Sequence, residues 1–146
     1  MTLARKTVRD RIIFLLSGAT AALTRVYGNR FHPEHTLPVI RVMTNESARD
    51  VERSTLDYTT IRETVQVECI DKDGTSVEDD LDAMEAAINS LLLADPGLGI
   101  GMQGIEWEGS SLEPIEDFEE PTAVRTITFT VYVQVQEDDH EVIQTA

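Results

Sequence analysis

The chain has a single cysteine, Cys69, so no internal disulfide can staple it. With 146 residues it needs none: a domain of this size buries about two thirds of its unfolded surface around one core, and the expectation is one domain over 1–146. Long apolar runs are also absent. The longest, such as Ile12 to Leu16 and Leu91 to Ala94, fall far short of the ~20 residues that a membrane-spanning helix requires. Arg5, Lys6 and Arg9 open the chain without the apolar run of a secretion signal, so a soluble protein inside a cell, with no membrane partner, is expected. Aromatic residues are few at 5%, whereas 41% hydrophobic and 27% charged residues are ordinary for a globular domain.

The scarcest class is basic residues in the second part of the chain. Residues 63–146 hold two Lys+Arg, Lys72 and Arg125, against twenty-one Asp+Glu. Residues 1–62 hold ten against six, so the formal net charge of −15 is divided very unevenly along the chain. Gripping of nucleic acid by the whole chain is disfavoured by that balance. Opposite charge on two parts of one molecule instead suits docking between copies or with partners.

What is present predicts an α+β domain. Val8, Ile12, Leu15, Leu16, Ala19, Leu23 and Val26 recur at helical spacing and predict a helix from about Leu3 to Tyr27, closed by Gly28. Gly18 in its middle costs about 1 kcal/mol relative to Ala and suggests either close packing or simple tolerance. The β-branched run after Pro38 predicts a strand from Val39 to Thr44, and residues 45–59 read as a long polar connection, long enough to be a contact arm. Ile61, Val65, Val67 and Cys69 alternate with polar residues as a strand would, with Cys69 inward. Ser76 is placed to cap a helix whose stripe is Val77, Leu81, Met84, Ile88, Leu91 and Leu92, with Asp79 as the partner in a near capping box. Ile105 and Trp107 begin a strand that resumes near Leu112, and Glu113 to Pro121 reads as an exposed acidic loop. Val124, Ile127, Phe129, Val131, Val133 and Val135 form the final strand, with a slip of phase near Arg125 and Thr126 that marks a bulge or a ragged start. Residues 137–146 form an acidic tail. The expected architecture is two helices on one face of a roughly four-stranded, mostly antiparallel sheet, in the order α-β-β-α-β-β, its other face presenting Thr, Gln, Glu, Arg and Tyr.

Motifs for chemistry are weak. Asp71-Lys72-Asp73-Gly74 has its glycine at the fourth position of a would-be calcium loop, where an EF-hand needs it at the sixth. Gly99, Gly101 and Gly104 follow a helix, so they lack the strand-to-helix geometry of a dinucleotide cradle. His32, Glu34 and His35, with distant His140, form a poor ligand set in a proline-containing loop. Ser110 and Ser111 have no evident base, Cys69 is expected to be buried, and adjacent carboxylates such as Glu119 and Glu120 are solvated charge. No cofactor, metal or catalytic role is expected.

The opening helix Arg9-Asp-Arg-Ile-Ile-Phe-Leu-Leu-Ser17, the strand Leu37-Pro-Val-Ile-Arg-Val42, the helix Leu81-Asp-Ala-Met-Glu-Ala-Ala-Ile88 leading to Leu93-Ala-Asp-Pro-Gly-Leu-Gly99, and the closing Phe129-Thr-Val-Tyr-Val133 together resemble the tail terminator proteins of tailed bacteriophages, the minor tail protein U type. The resemblance spans nearly the whole chain except residues 45–59 and the acidic tail. It implies a structural virion protein, assembled in the host cytoplasm, that forms a homohexameric ring on the head-proximal end of the tail tube. Such a ring stops tube polymerisation and offers a docking surface to head-completion or neck proteins. Its implied partners are its own copies, the tube protein, the neck protein and, where the tail contracts, the sheath; genomic DNA passes through without specific binding. On this reading Arg5, Arg9, Arg11, Arg49 and Arg53 face a neighbouring subunit or the tube. Glu106, Glu108, Glu116, Asp117, Glu119, Glu120, Asp138 and Asp139 form the acidic counterpart or line the channel. The rival readings are a head–tail connector or neck component and, more remotely, a small enzyme or an acidic inhibitor that mimics nucleic acid.

Overall fold

A computed structural model of the chain describes residues 4–20, 22, 25–28, 38–54, 58–72, 76–95, 97–100, 102–115 and 122–136. Helix α1 spans Ala4–Leu16 and is followed by the short strand β1 (Val26–Tyr27). Strands β2 (Val39–Arg49) and β3 (Tyr58–Lys72), helix α2 (Val77–Leu93), and strands β4 (Gly104–Ile115) and β5 (Thr122–Gln136) complete the order. The α+β class, the two helices and the mostly antiparallel sheet are as expected. The sheet has five strands in the order β1-β2-β3-β5-β4, every junction antiparallel except β1 with β2. Both helices pack on one face: α1 against β1 and β2, α2 against β3, β5 and β4.

The first helix is shorter than its apolar period suggested. It ends at Leu16, the Ser17 amide still bonded to Ile13 O, and Gly18 then takes φ +78°. That left-handed backbone costs a residue with a Cβ about 1–2 kcal/mol and costs glycine little. Gly18 is therefore where the chain leaves the helix, and Val26 enters the core from a strand. Gly28, expected as the helix cap, follows β1 and lies against the Ile13 and Arg9 side chains of α1.

Part of the expected polar connection at 45–59 is sheet: 45–49 belong to β2 and 58–59 to β3, while 55–57 lie outside the described residues. A bulge between Thr44 and Glu46 lets β2 continue to Arg49, paired to β3 as far as Arg49 opposite Ile61. Side-chain bonds across the two strands replace apolar burial there: Asn45 with Gln66, and Ser47 Oγ donating to Glu63 at 2.5 Å. The turn that remains is built on Asp50, whose carbonyl accepts from Ser54 N and Ser54 Oγ while its carboxylate accepts from Arg53 N.

Three smaller corrections follow from the register. Ser76 precedes α2 with φ −119° and ψ 12° and makes no side-chain cap bond, so no capping box forms. Residues 113–115 belong to β4, and the rest of the expected acidic loop, 116–121, lies outside the described residues. The register of β5 runs unbroken from Thr122 to Gln136 against β3, so no bulge accompanies Arg125. The irregularity is in the neighbouring strand β4, between Trp107 and Gly109.

The core lies between the helices and the sheet. Val8, Ile12 and Leu16 of α1 and Leu81, Ile88 and Leu92 of α2 are fully buried against Val42, Val67, Ile127 and Phe129. The spacing of four along α1, and of seven then four along α2, sets one apolar stripe of each helix on the sheet. Cys69 is buried among them, as its phase in β3 required. The opposite sheet face carries Arg62, Thr64 and Gln66 of β3 with Thr126, Thr128 and Thr130 of β5, partly or fully exposed. No helix among the described residues is long and apolar enough to cross a membrane.

Candidate docking interface

The sheet order turns the uneven charge of the sequence into a spatial division. Residues from the basic first part build α1, β1 and β2, so they occupy one edge of the sheet. The acidic second part builds α2, β5 and β4, with β4 at the other edge. Strand β4 carries Glu106, Glu108 and Glu113, all exposed, and no basic residue.

Several of the arginines read as docking residues have tasks within the chain. Arg11 donates from Nε to Leu98 O at 2.7 Å and lies 5.1 Å over the Phe14 ring, tying α1 to the turn after α2. Arg9 reaches Thr44 Oγ1 at 3.5 Å, joining α1 to β2. Arg53 stacks 3.8 Å over the Tyr132 ring, with Nε 3.7 Å from Asp50, and so folds the β2–β3 turn over the helix-free face. Arg5 and Arg49 are exposed. The five side chains do not converge on one spot. They are distributed along the α1–β2 side and the turn that extends it.

Two of the acidic candidates are described. Glu106 accepts a 3.2 Å bond from the Tyr132 hydroxyl. Burial pushes the Tyr132 phenol up from its ordinary value, the Glu106 charge pushes it further, and Arg53 opposes both. Glu108 sits at the bulge beside a shallow depression of about 360 Å³ on the helix-free face, lined also by Glu46, Arg62, Thr64, Thr128 and Thr130. Glu116, Asp117, Glu119, Glu120, Asp138 and Asp139 lie outside the described residues, as do His32, Glu34, His35 and His140. Among the described residues no group of three or more His, Cys, Asp and Glu side chains is placed to hold a metal ion.

Other polar side chains matter more to the fold than their sequence context suggested. Arg125 occupies a core-facing phase of β5 and bonds Glu85 and Asp82 of α2 at 2.7 Å each. The break in alternation at Arg125 was the available signal. Glu63 is buried on the helix side of β3; burial raises its carboxyl above the ordinary value, while the Ser47 hydroxyl and the Arg5 charge pull it down. Nothing local in the sequence distinguishes Glu63 from Glu68. Five large apolar side chains among the described residues remain exposed: Phe14 of α1, Val51 of the β2–β3 turn, Leu93 of α2, and Trp107 and Leu112 of β4. Trp107 and Leu112 pair with Phe129 and Arg125, so they stand on the helix side of the sheet at its acidic edge. No protein-family model matches this chain, and no curated protein matches it.

Proposed function

We infer that this protein is a structural ring subunit that caps the head-proximal end of a phage tail tube, ending its growth and presenting a docking surface to the head. The observation that carries the reading is the placement of the basic and acidic parts of the chain at opposite edges of one sheet. A subunit with unlike charge at its two ends favours head-to-tail contact, and head-to-tail contact closes into a ring when the rotation between copies allows it. The helix-free face, rich in threonine, carries Glu46, Glu68 and Glu106 beside Arg41 and Arg62, and without a basic excess it is suited to a surface past which DNA moves without adhering. The resemblance of the sequence to tail terminators supplies the specific assembly.

Removing the gene from the virus that carries it tests the reading: the expected result is tails of uncontrolled length without attached heads. Tails of normal length without heads would assign the chain to a connector or neck ring instead. Imaging of labelled particles gives the second readout, with sixfold density at the top of the tail expected and twelvefold density at the portal contradicting it.

A further inference from the structure

Strand β4 pairs with β5 on one side only, and among the described residues no strand occupies its other side. At the opposite end of the sheet β1 covers only Ile40 and Arg41 of β2. The outer side of β2 from Val42 to Arg49 has no strand partner among the described residues. Among the described residues, one molecule thus has two strand edges, at opposite ends of a single sheet, along which no further strand is paired.

We propose that the β4 edge of one copy pairs with the outer β2 edge of a second copy, continuing the sheet from subunit to subunit. This rests on the ring reading above and specifies its contact. Strand direction favours it: β2, β3, β5 and β4 alternate strictly, so β4 runs opposite to β2. A neighbour added side by side in the same orientation therefore meets β4 as an antiparallel strand, the slightly more stable pairing.

Charge disfavours the alternative in which two β4 edges meet. Glu106, Glu108 and Glu113 would face their own kind in a β4-to-β4 contact, where like charges destabilise a strand pair. The β2 side is basic as a whole through Arg5 and Arg9 of α1 and Arg49 on the helix side of β2, while on the helix-free face, where Glu106 and Glu113 stand, Arg41 already pairs with Glu68 at 4.0 Å and Glu46 lies further along. Acidic side chains and the bulge between Trp107 and Gly109 are the devices by which an edge avoids indiscriminate pairing with its own kind.

The exposed apolar residues of β4 fit the same geometry. Trp107 and Leu112 stand on the helix side of the sheet, 47% and 37% exposed. Helix α1 lies on that side over β2, so the second copy brings its α1 next to them. The contact covers an exposed tryptophan.

The test places one cysteine on each edge, both on the helix-free face: Ser111→Cys in one preparation and Glu46→Cys in another, each site being exposed. Native Cys69 is fully buried with its thiol pushed up to about 12, so it does not compete in the folded chain, and its continued lack of reaction reports that each variant is folded. The mixed preparations are treated with a bis-maleimide too short to link anything but neighbouring strands. The expected product is the mixed pair, with a ladder of covalent oligomers from the chain that carries both cysteines, and loss of both when Glu106→Lys and Glu113→Lys are added. Crosslinking of Ser111→Cys chains to one another in preference to the mixed pair overturns the proposal. So does absence of crosslinks in a preparation whose solution mass is that of a ring; the ring reading then stands and only the edge contact fails. A chain that stays monomeric and leaves tail length unaffected overturns both.

Discussion

Arg125 of β5 and Glu85 of α2 meet at 2.7 Å across the interface between the sheet and the second helix, both side chains nearly buried at 14% and 13% exposure. The second arm of the guanidinium takes Asp82, one turn earlier on the helix and largely exposed. Strand and helix are thereby held in one register by a two-pronged ionic contact where the flanking positions of β5 use apolar side chains.

Replacing Arg125 with Ala strands Glu85 in a half-dry site. The expected loss is about 3 kcal/mol, the lower end of the range for breaking a buried pair, because Asp82 remains in water. Urea unfolding followed by circular dichroism measures it. The double variant Arg125→Met with Glu85→Leu should recover most of the loss; a double variant as unstable as the single one would contradict this account.

Glu63 predicts a pH dependence of a definite sign. Its carboxyl is raised in the fold above the ordinary 4.5, chiefly by burial, so the folded chain holds this proton more tightly than the unfolded chain does. Stability from this group is then greatest in acid and falls as the pH rises from 4.5 through the folded value. Glu63→Gln keeps an acceptor for the Ser47 hydroxyl and removes the buried charge. The variant should gain on the parent as the pH approaches neutrality and lose that advantage near 4.5, as read from urea midpoints across the range. A difference that does not change with pH would show that Glu63 carries no such penalty.

Cys69 should be inert in the folded chain. It is buried and its thiol is pushed up to about 12, mainly by loss of hydration and secondarily by the charge of Glu85. A chromogenic disulfide reagent at mildly alkaline pH should report no thiol until denaturant is added, and one thiol thereafter. Rapid reaction without denaturant would place Cys69 at the surface.

Gly99 takes φ +74° beneath the Arg11 guanidinium, where an added Cβ would come within 2.9 Å of Nη2. Gly99→Ala should cost about 1–2 kcal/mol from the backbone alone, with a further loss if Arg11 is displaced from Leu98 O. Thermal unfolding of Gly99→Ala, Arg11→Ala and the double variant separates the two: a double variant no worse than Gly99→Ala shows that the glycine serves the arginine.

Reversal of Arg5 and Arg49 to Glu changes two exposed residues on the basic side. Assembly measured by light scattering should weaken and should become less sensitive to salt, because attraction between opposite surface charges is what salt screens. Unchanged assembly would remove these arginines from the contact.

The second helix was legible because Leu81, Met84, Ile88 and Leu92 repeat without interruption, and a period of that length has one structural solution. The first helix was overread for the same reason: Val26 is a core residue in phase with it, yet it reaches the core after the chain has turned at Gly18. The hairpin arms at 45–49 and 58–60 were illegible because their residues are largely polar. Polar residues bond across the strands there, and no alternation of apolar with polar marks them. For the arginines read as docking residues, nothing in the sequence tells that Arg11 is spent on Leu98 O or Arg53 on the Tyr132 ring.

By itself the sequence determined the class of the domain, the inward phase of β3 and β5, the position of α2 and the division of charge along the chain. These follow from local periodicity and composition, which each segment carries whatever its neighbours do. Only the tertiary structure decided which strands lie side by side. By placing β2 and β4 at opposite ends of the sheet it converted a gradient of charge along the chain into two edges of opposite sign, because pairing between distant segments is set by the whole core and by no single stretch of it.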